Sequence, residues 1–320
     1  MKALRFSGSP AVQEIDVPEP GPGEALIHVR RAGICTTDLE IVSGYMGFAG
    51  TLGHEFVGDV TDVGAAADRE WVGARVAGEI NLGCANCERC LAGMSRHCER
   101  RTVLGILGKD GCFAEYVTLP VRNLHFVPDG LSDANAAFTE PLAAAYEILE
   151  QLRVEPNSRV AVLGDGKLGS LVALVLIHTG ADVTLVGRHR NKLDRIAARG
   201  VRVALAGDHL AGGFDTVVEA TGSADGFGRA RSLLRPRGTM VLKSTYHGKL
   251  ELDAAPLVID EITVVGSRCG PFAPALRALQ EGRIDPAPLI EDAYPLAEGL
   301  AALERAATPG VAKIQLLCES

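Results

Sequence analysis

Four cysteines stand close together as Cys84-x-x-Cys87-x-x-Cys90, with Cys98 eight positions further on, out of eight cysteines in a chain of 320 residues. Thiolates are soft ligands, and four of them close a tetrahedral shell around Zn²⁺ with no position left for a substrate. The spacing predicts a structural zinc that pins a loop rich in Gly, Asn and Arg. A pair of disulfides is the competing reading, but nothing else in the sequence points to an oxidising compartment. Other residues of metal-ligating type lie around this cluster: Cys35 just before Thr37 and Asp38, the pair His54 and Glu55 after Gly53, and Glu140 before Pro141. A single His or Cys usually belongs to a core or a surface, and a single helical Glu is usually solvated. Beside the cysteine cluster they become candidates for a second, open metal constellation.

A second kind of chemistry is written in Gly164-Asp-Gly166-Lys-Leu-Gly169, which follows the apolar run 159–163 and opens an apolar helical stretch. In that context G-x-G-x-x-G is a dinucleotide loop. Gly164 permits the tight turn, Gly166 lets the backbone approach a pyrophosphate, and Gly169 lets helix and strand pack closely. The helix N-terminus then offers its N–H groups to the phosphates, with Lys167 and Leu168 in its first turn. The acidic residue expected at the end of the next strand is missing: residues 183–186 run into Gly187, Arg188, His189 and Arg190. A glycine leaves room and two arginines supply phosphate partners, so this arrangement favours NADP(H) over NAD(H). Thr221 and Lys243, at the ends of later strands, complete the cofactor candidates.

The elements that must position these residues fall into two patterns. Up to about residue 127 the chain reads as short strands and turns, with candidate strands at 24–30, 58–63 and 113–119, which suggests a small β-barrel-like domain. From residue 128 a helical spacing over 131–152, with Ser132 and Asp133 as caps, leads into alternating strands and helices. The strands are expected at 159–163, 182–186, 201–203, 216–220, 240–242 and 262–265, and the helices at 167–179 and 192–199. That alternation means βαβ units and a parallel sheet covered on both faces. Beyond residue 266 the repeat ends; a helix over 273–281 and a closing strand over 313–317 are expected, in a tail that returns to the first domain.

Composition fits an ordinary globular chain: 47% hydrophobic, 22% charged and 5% aromatic residues, with a net charge of −8. No basic block exceeds three residues, which argues against a nucleic-acid or anionic-membrane partner. No apolar run approaches the length of a membrane span, and residues 1–10 do not read as a secretory signal. The expectation is a cytoplasmic protein with reduced thiols.

In their order along the chain, Cys-x-Thr-Asp, Gly-His-Glu, the four-cysteine lobe, Glu-Pro-Leu and the glycine loop resemble a zinc-dependent alcohol dehydrogenase of the medium-chain dehydrogenase/reductase superfamily. The resemblance covers essentially the whole chain and is strongest to the polyol, glucose and threonine dehydrogenases, in which Glu-Pro-Leu replaces a cysteine ligand. It implies an α/β fold: a GroES-like β-rich catalytic domain (1–127, with the zinc lobe at 84–98), a Rossmann doubly wound parallel sheet (128–266) and a C-terminal segment (267–320). It implies two zincs per chain. Cys35, His54 and Glu140 would hold the catalytic one, and Glu55 would join or exchange. Asp38 would orient His54, and Thr37 would hand on the alcohol proton. The family's classical members often carry a histidine three residues after that threonine; here Glu40 stands there, so the outer proton path would use Glu40, a ribose hydroxyl or water. Residues 243–246, ending in Tyr246, are more polar than usual beside the nicotinamide.

The implied reaction is hydride transfer between an alcohol, secondary or polyol, and NADP⁺, in a cleft between the domains, with zinc acting as a Lewis acid on the substrate oxygen. The same site serves carbonyl reduction in a biosynthetic pathway, and sequence does not set the direction. A non-catalytic nucleotide-binding or redox-sensing protein would be expected to have lost a ligand, and none is lost. Candidate substrate-cleft residues are Tyr45, Met46, Phe48, Ile80, Asn81 and Cys269 to Phe272. The run 262–266, as the last strand of the sheet, predicts a homodimer or a tetramer of dimers.

Overall fold

Alternating apolar residues over 24–30 grow into a ten-residue strand, β1 (Glu24–Gly33), in which Ala25, Ile27 and Val29 are fully buried. Along one edge β1 pairs antiparallel with β2 (Glu55–Val63). Its other edge is shared: Tyr116–Pro120 runs beside residues 24–28, and the closing strand Lys313–Leu317 runs beside residues 31–33. These strands belong to one seven-stranded sheet. The computed structural model describes residues 1–245, 250 and 252–319.

The register of this sheet brings the candidate site residues together. Gly33 is opposite Glu55 on one side and Gln315 on the other. The chain then leaves β1, Ile34 N–H bonds to the Ile314 carbonyl, and helix α1 (Thr36–Val42) begins with Cys35 as its N-cap. Three segments remote in sequence therefore meet at the end of β1. A side chain on Gly33 would run into the Glu55 carboxylate, so glycine is required at this crossing.

The four-cysteine lobe is a separate structure in miniature. One turn of helix (Glu88–Leu91) and a single 3₁₀ turn (Ser95–His97) sit beside the short strands Asn81–Leu82, Thr102–Leu104 and Gly108–Lys109. Leu91 and Met94 are exposed, so apolar burial contributes little to its shape.

The chain divides into two compact units, residues 1–140 with 272–320 and residues 141–271. The division falls at Glu140, in the first turn of helix α2 (Thr139–Gln151), rather than at residue 127. The helical stretch expected over 131–152 is broken in two. Ser132 caps a short helix, Asp133–Ala136, and the chain restarts at Thr139, whose hydroxyl donates to the Ala136 carbonyl.

The second unit is a six-stranded, fully parallel sheet. Its strands are β3 (Arg159–Leu163), β4 (Asp182–Gly187), β5 (Arg202–Leu205), β6 (Phe214–Glu219), β7 (Leu234–Leu242) and β8 (Thr263–Gly266), in the order β5-β4-β3-β6-β7-β8. The order reverses at β3, the doubly wound arrangement in which nucleotides bind at the carboxyl ends of the strands beside the switch. Helix α3 (Lys167–Ile177) follows β3 and is buried over Gly169–Leu176, which explains why its apolar residues run almost without interruption.

Candidate active site and metal centres

The crossing at the end of β1 gathers Cys35, His54 and Glu55, with one ligand-type atom from each lying within 4.8 Å of the others. His54 and Glu55 are buried, and Cys35 is half-buried. Thr37 follows on α1, its hydroxyl 3.7 Å from the Cys35 sulfur. Glu40 lies three residues further along the same helix and so shares its face with Thr37.

Asp38, also on α1 and fully buried, holds this arrangement together. One carboxylate oxygen accepts from the Cys35 N–H at 2.8 Å, which caps the helix. The other accepts from the Gly53 N–H at 3.2 Å and lies 3.3 Å from His54 Nδ1. The buried Nδ1 makes no hydrogen bond. Burial lowers the imidazole pKa, but the Asp38 charge and the neighbouring Cys35 outweigh it and hold it well above the usual histidine range.

A fourth residue, which no sequence motif marks, joins them. Lys313, on the closing strand, is 1% exposed; its ammonium pairs with the Glu55 carboxylate and lies 3.3 Å from the Ile34 carbonyl. Burial lowers its pKa, but the charges of Glu55 and Cys35 outweigh it and the net shift is upward. The Phe138 ring stands 5.7 Å from the ammonium. Nothing around position 313 marks a buried cation; only the register of the closing strand against β1 brings it to Glu55. Glu140 is not among the three residues gathered here.

A thiolate, an imidazole and a carboxylate are the donor types of a catalytic zinc site with an open position. Ligand atoms on one tetrahedral zinc lie roughly 3.3–3.8 Å apart, given bonds of about 2.0–2.3 Å. The residues at the β1 crossing fit such an ion.

The lobe fits a closed site. Cys84 and Cys90 sulfurs are 4.0 Å apart, and those of Cys87 and Cys98 are 3.8 Å apart. All four lie within 4.8 Å of one another. All eight cysteines of the chain are free, so the disulfide alternative is not realised. A backbone hydrogen bond from Asn86 pulls the Cys84 thiol down to about 6, and the Arg100 guanidinium lies 3.3 Å from its sulfur. These features favour thiolate at Cys84, the form a metal needs, whereas burial pushes the Cys90 thiol up to about 11.

In the second unit, Gly164 has φ +112°, and a side chain there would collide with the Ala220 backbone. A side chain on Gly169 would run into the Gly164 carbonyl, while one on Gly166, the N-cap of α3, would meet nothing within 4 Å. That is the cradle a pyrophosphate needs: two glycines demanded by packing and one facing open space. Lys167 and Leu168 stand in the first turn of α3. Thr221 follows β6 and donates through both its N–H and its hydroxyl to the buried Glu219 carboxylate. The Lys243 ammonium, expected near the cofactor, donates to Ser267 Oγ at 3.0 Å and the Arg268 carbonyl at 2.6 Å, tying the end of β7 to the segment after β8. Tyr246 lies outside the described residues.

The space expected at Gly187 is occupied. A Cβ there would overlap Asp165 and lie 2.5 Å from its Oδ2. Arg188 and Arg190 are exposed, and Arg190 is 4.0 Å from Asp194. Among the substrate-cleft candidates, Phe48, Ile80, Asn81 and Phe272 are buried, and Met46 is half exposed. Among the described residues no helix is long and apolar enough to cross a membrane.

Comparison with known proteins agrees with this architecture. Residues 21–129 match the alcohol dehydrogenase GroES-like domain, and residues 168–281 match the zinc-binding dehydrogenase domain. A sorbitol dehydrogenase of Halalkalibacterium halodurans is 30% identical, over 93% of this chain and 92% of its own. An L-threonine 3-dehydrogenase of Streptomyces coelicolor is 34% identical over 92% of each chain. A crystal structure of a zinc-binding dehydrogenase from Sinorhizobium meliloti 1021 bound to NADP is 31% identical, covers 99% of this chain and 98% of that one, and has a TM-score of 0.89. With two domain matches in the right order and relatives aligned over nearly its whole length, the chain belongs to the zinc-type alcohol and polyol dehydrogenases of the medium-chain dehydrogenase/reductase superfamily.

Proposed function

We propose that this dehydrogenase is zinc- and NAD(P)(H)-dependent and interconverts a secondary alcohol or polyol and its carbonyl compound. The observation that carries the reading is the gathering of Cys35, His54 and Glu55 around one point, with the Thr37 hydroxyl beside Cys35. Cys35 and His54 would hold the catalytic zinc with a carboxylate as third ligand. Glu55 has the geometry for that role, and Glu140 is the residue the family resemblance implies. Ligation through the oxygen that Lys313 holds would compete with that ion pair for its lone pairs. Cys84, Cys87, Cys90 and Cys98 would hold a structural zinc.

When bound, the zinc supplies Lewis acidity at the substrate oxygen, and the nicotinamide accepts or returns the hydride. Thr37 receives the hydroxyl proton and passes it outward, with Glu40 on the same helical face as the next acceptor. Asp38 fixes the N-terminus of α1 and the Gly53 backbone, and with them the positions of Cys35 and His54. Gly164, Gly166 and Gly169 hold the pyrophosphate at the start of α3. The 2′ position of the cofactor is the finer question. Arg188, and the NADP in the Sinorhizobium meliloti relative, support NADP(H); the filled space at Gly187 does not.

Edge strand β8 carries an exposed Val264, and Val258 and Ile259 on the preceding helix are about three-quarters exposed, which supports a homodimer joined along this edge. The test of function is an initial-rate screen of zinc-replete protein with NAD⁺ and NADP⁺ against polyols, secondary alcohols and their carbonyl forms. Turnover that vanishes in Cys35→Ala supports the reading. Turnover that survives Cys35→Ala removes this cluster as its seat.

A further inference from the structure

Asp165, the middle residue of Gly164-Asp-Gly166, is 7% exposed, and its carboxylate sits at the carboxyl end of β4 rather than over its own loop. Its Oδ2 accepts from the His189 backbone N–H at 2.6 Å, and His189 Nδ1 lies 3.1 and 3.2 Å from its two oxygens. Strands β3 and β4 are neighbours, with Leu163 opposite Val186, so the reach from the loop after one strand to the end of the other is short. A side chain on Gly187 would occupy the volume that Asp165 fills. Glycine at 187 is therefore demanded by Asp165 and does not mark room for a phosphate.

We infer that Asp165 takes the task of the missing strand-end carboxylate: it accepts hydrogen bonds from the adenosine ribose hydroxyls and selects NAD(H) against NADP(H). The inference rests on the dinucleotide-dependent dehydrogenase reading above. A carboxylate offers about four acceptor positions, and His189 uses only part of them. A 2′-phosphate would bring a second anion against a fixed, nearly buried one, the juxtaposition that disfavours NADP(H). Arg188 pulls the other way, but it is exposed. At equal distance, a charge interaction in open water is about four times weaker than one at the effective dielectric of a protein site. The carboxylate is therefore the less screened of the two charges.

The test is calorimetric titration of the full chain with ADP-ribose and with 2′-phospho-ADP-ribose, which lack the nicotinamide and need no turnover. ADP-ribose is expected to bind at least about tenfold more tightly, the range of a charge-assisted hydrogen bond. Asp165→Asn, which keeps shape and loses charge, should remove most of that ratio. The double variant Asp165→Gly/Gly187→Asp returns the carboxylate to the strand end and should restore it. Equal or tighter binding of the phosphorylated form by the unaltered protein would overturn the inference, as would an unchanged ratio in Asp165→Asn. Binding of neither fragment, with the chain folded, would overturn the dehydrogenase reading itself.

Discussion

The two metal-competent clusters of this chain are built in opposite ways. The four-cysteine lobe draws its donors from fifteen consecutive residues, is half exposed, and is surrounded by single turns and strands of two or three residues. The Cys35–His54–Glu55 cluster draws on the end of β1, the start of α1 and the start of β2, and is bound to a lysine 258 positions away in sequence. The first can be assembled by its ligand alone. The second exists only when a sheet has closed in one register. A local site is robust to distant change and depends on its ion for shape, whereas an assembled site is rigid without the ion and fragile to substitutions far along the chain.

Four substitutions test that contrast, beginning with the largest effect. His54→Ala removes a donor from the assembled site. It is expected to lower kcat/KM by about a thousandfold or more, while metal analysis still finds the lobe ion; loss of both ions would mean the clusters are not independent. Next, Lys313→Met leaves the Glu55 carboxylate buried without its partner. A loss of about 3–5 kcal/mol in unfolding free energy is expected, read by denaturant titration. The double variant Lys313→Met/Glu55→Leu should recover most of it, and a single variant as stable as the parent would show that the pair is not what holds the crossing.

Asp38→Asn acts more gently, because the amide keeps its shape but loses the charge that faces His54. Metal affinity at the assembled site should fall by about 10–100-fold, measured by chelator competition, with the lobe ion unaffected. The smallest effect on turnover is expected from Cys98→Ser. That variant should lose one metal ion per chain and several degrees of melting temperature. Its turnover, once refolded and assayed well below that temperature, should remain within about tenfold of the parent, since a closed structural site contributes folding free energy rather than chemistry. A collapse of turnover with the Cys35 cluster still loaded would tie the lobe to the reaction.

The same contrast explains what could be read in advance. The glycine loop was legible because each glycine answers to its immediate surroundings: Gly164 to its left-handed φ, and Gly169 to the Gly164 carbonyl. Strands β3, β4 and β6 are legible to within about two residues because a sheet buried on both faces needs apolar runs of that length. The N-terminal hairpin, Lys2–Phe6 with Pro10–Glu14, was not, because Pro10 and a three-residue turn disguise its pattern. The stretch 131–152 reads as one helix because its apolar spacing carries through the break at Ala137 and Phe138, both of which are buried.

By itself the sequence determined the dinucleotide loop, the four-cysteine lobe and the family, since each is carried by residues a few positions apart whose geometry the backbone imposes locally. Only the tertiary structure decided that Lys313 holds Glu55, that Asp38 joins the Cys35 and Gly53 backbones, and that Asp165 occupies the place left by Gly187. Those three contacts depend on which strands lie side by side and in what register. A sequence read one segment at a time contains the donors and acceptors, but not the distance between them.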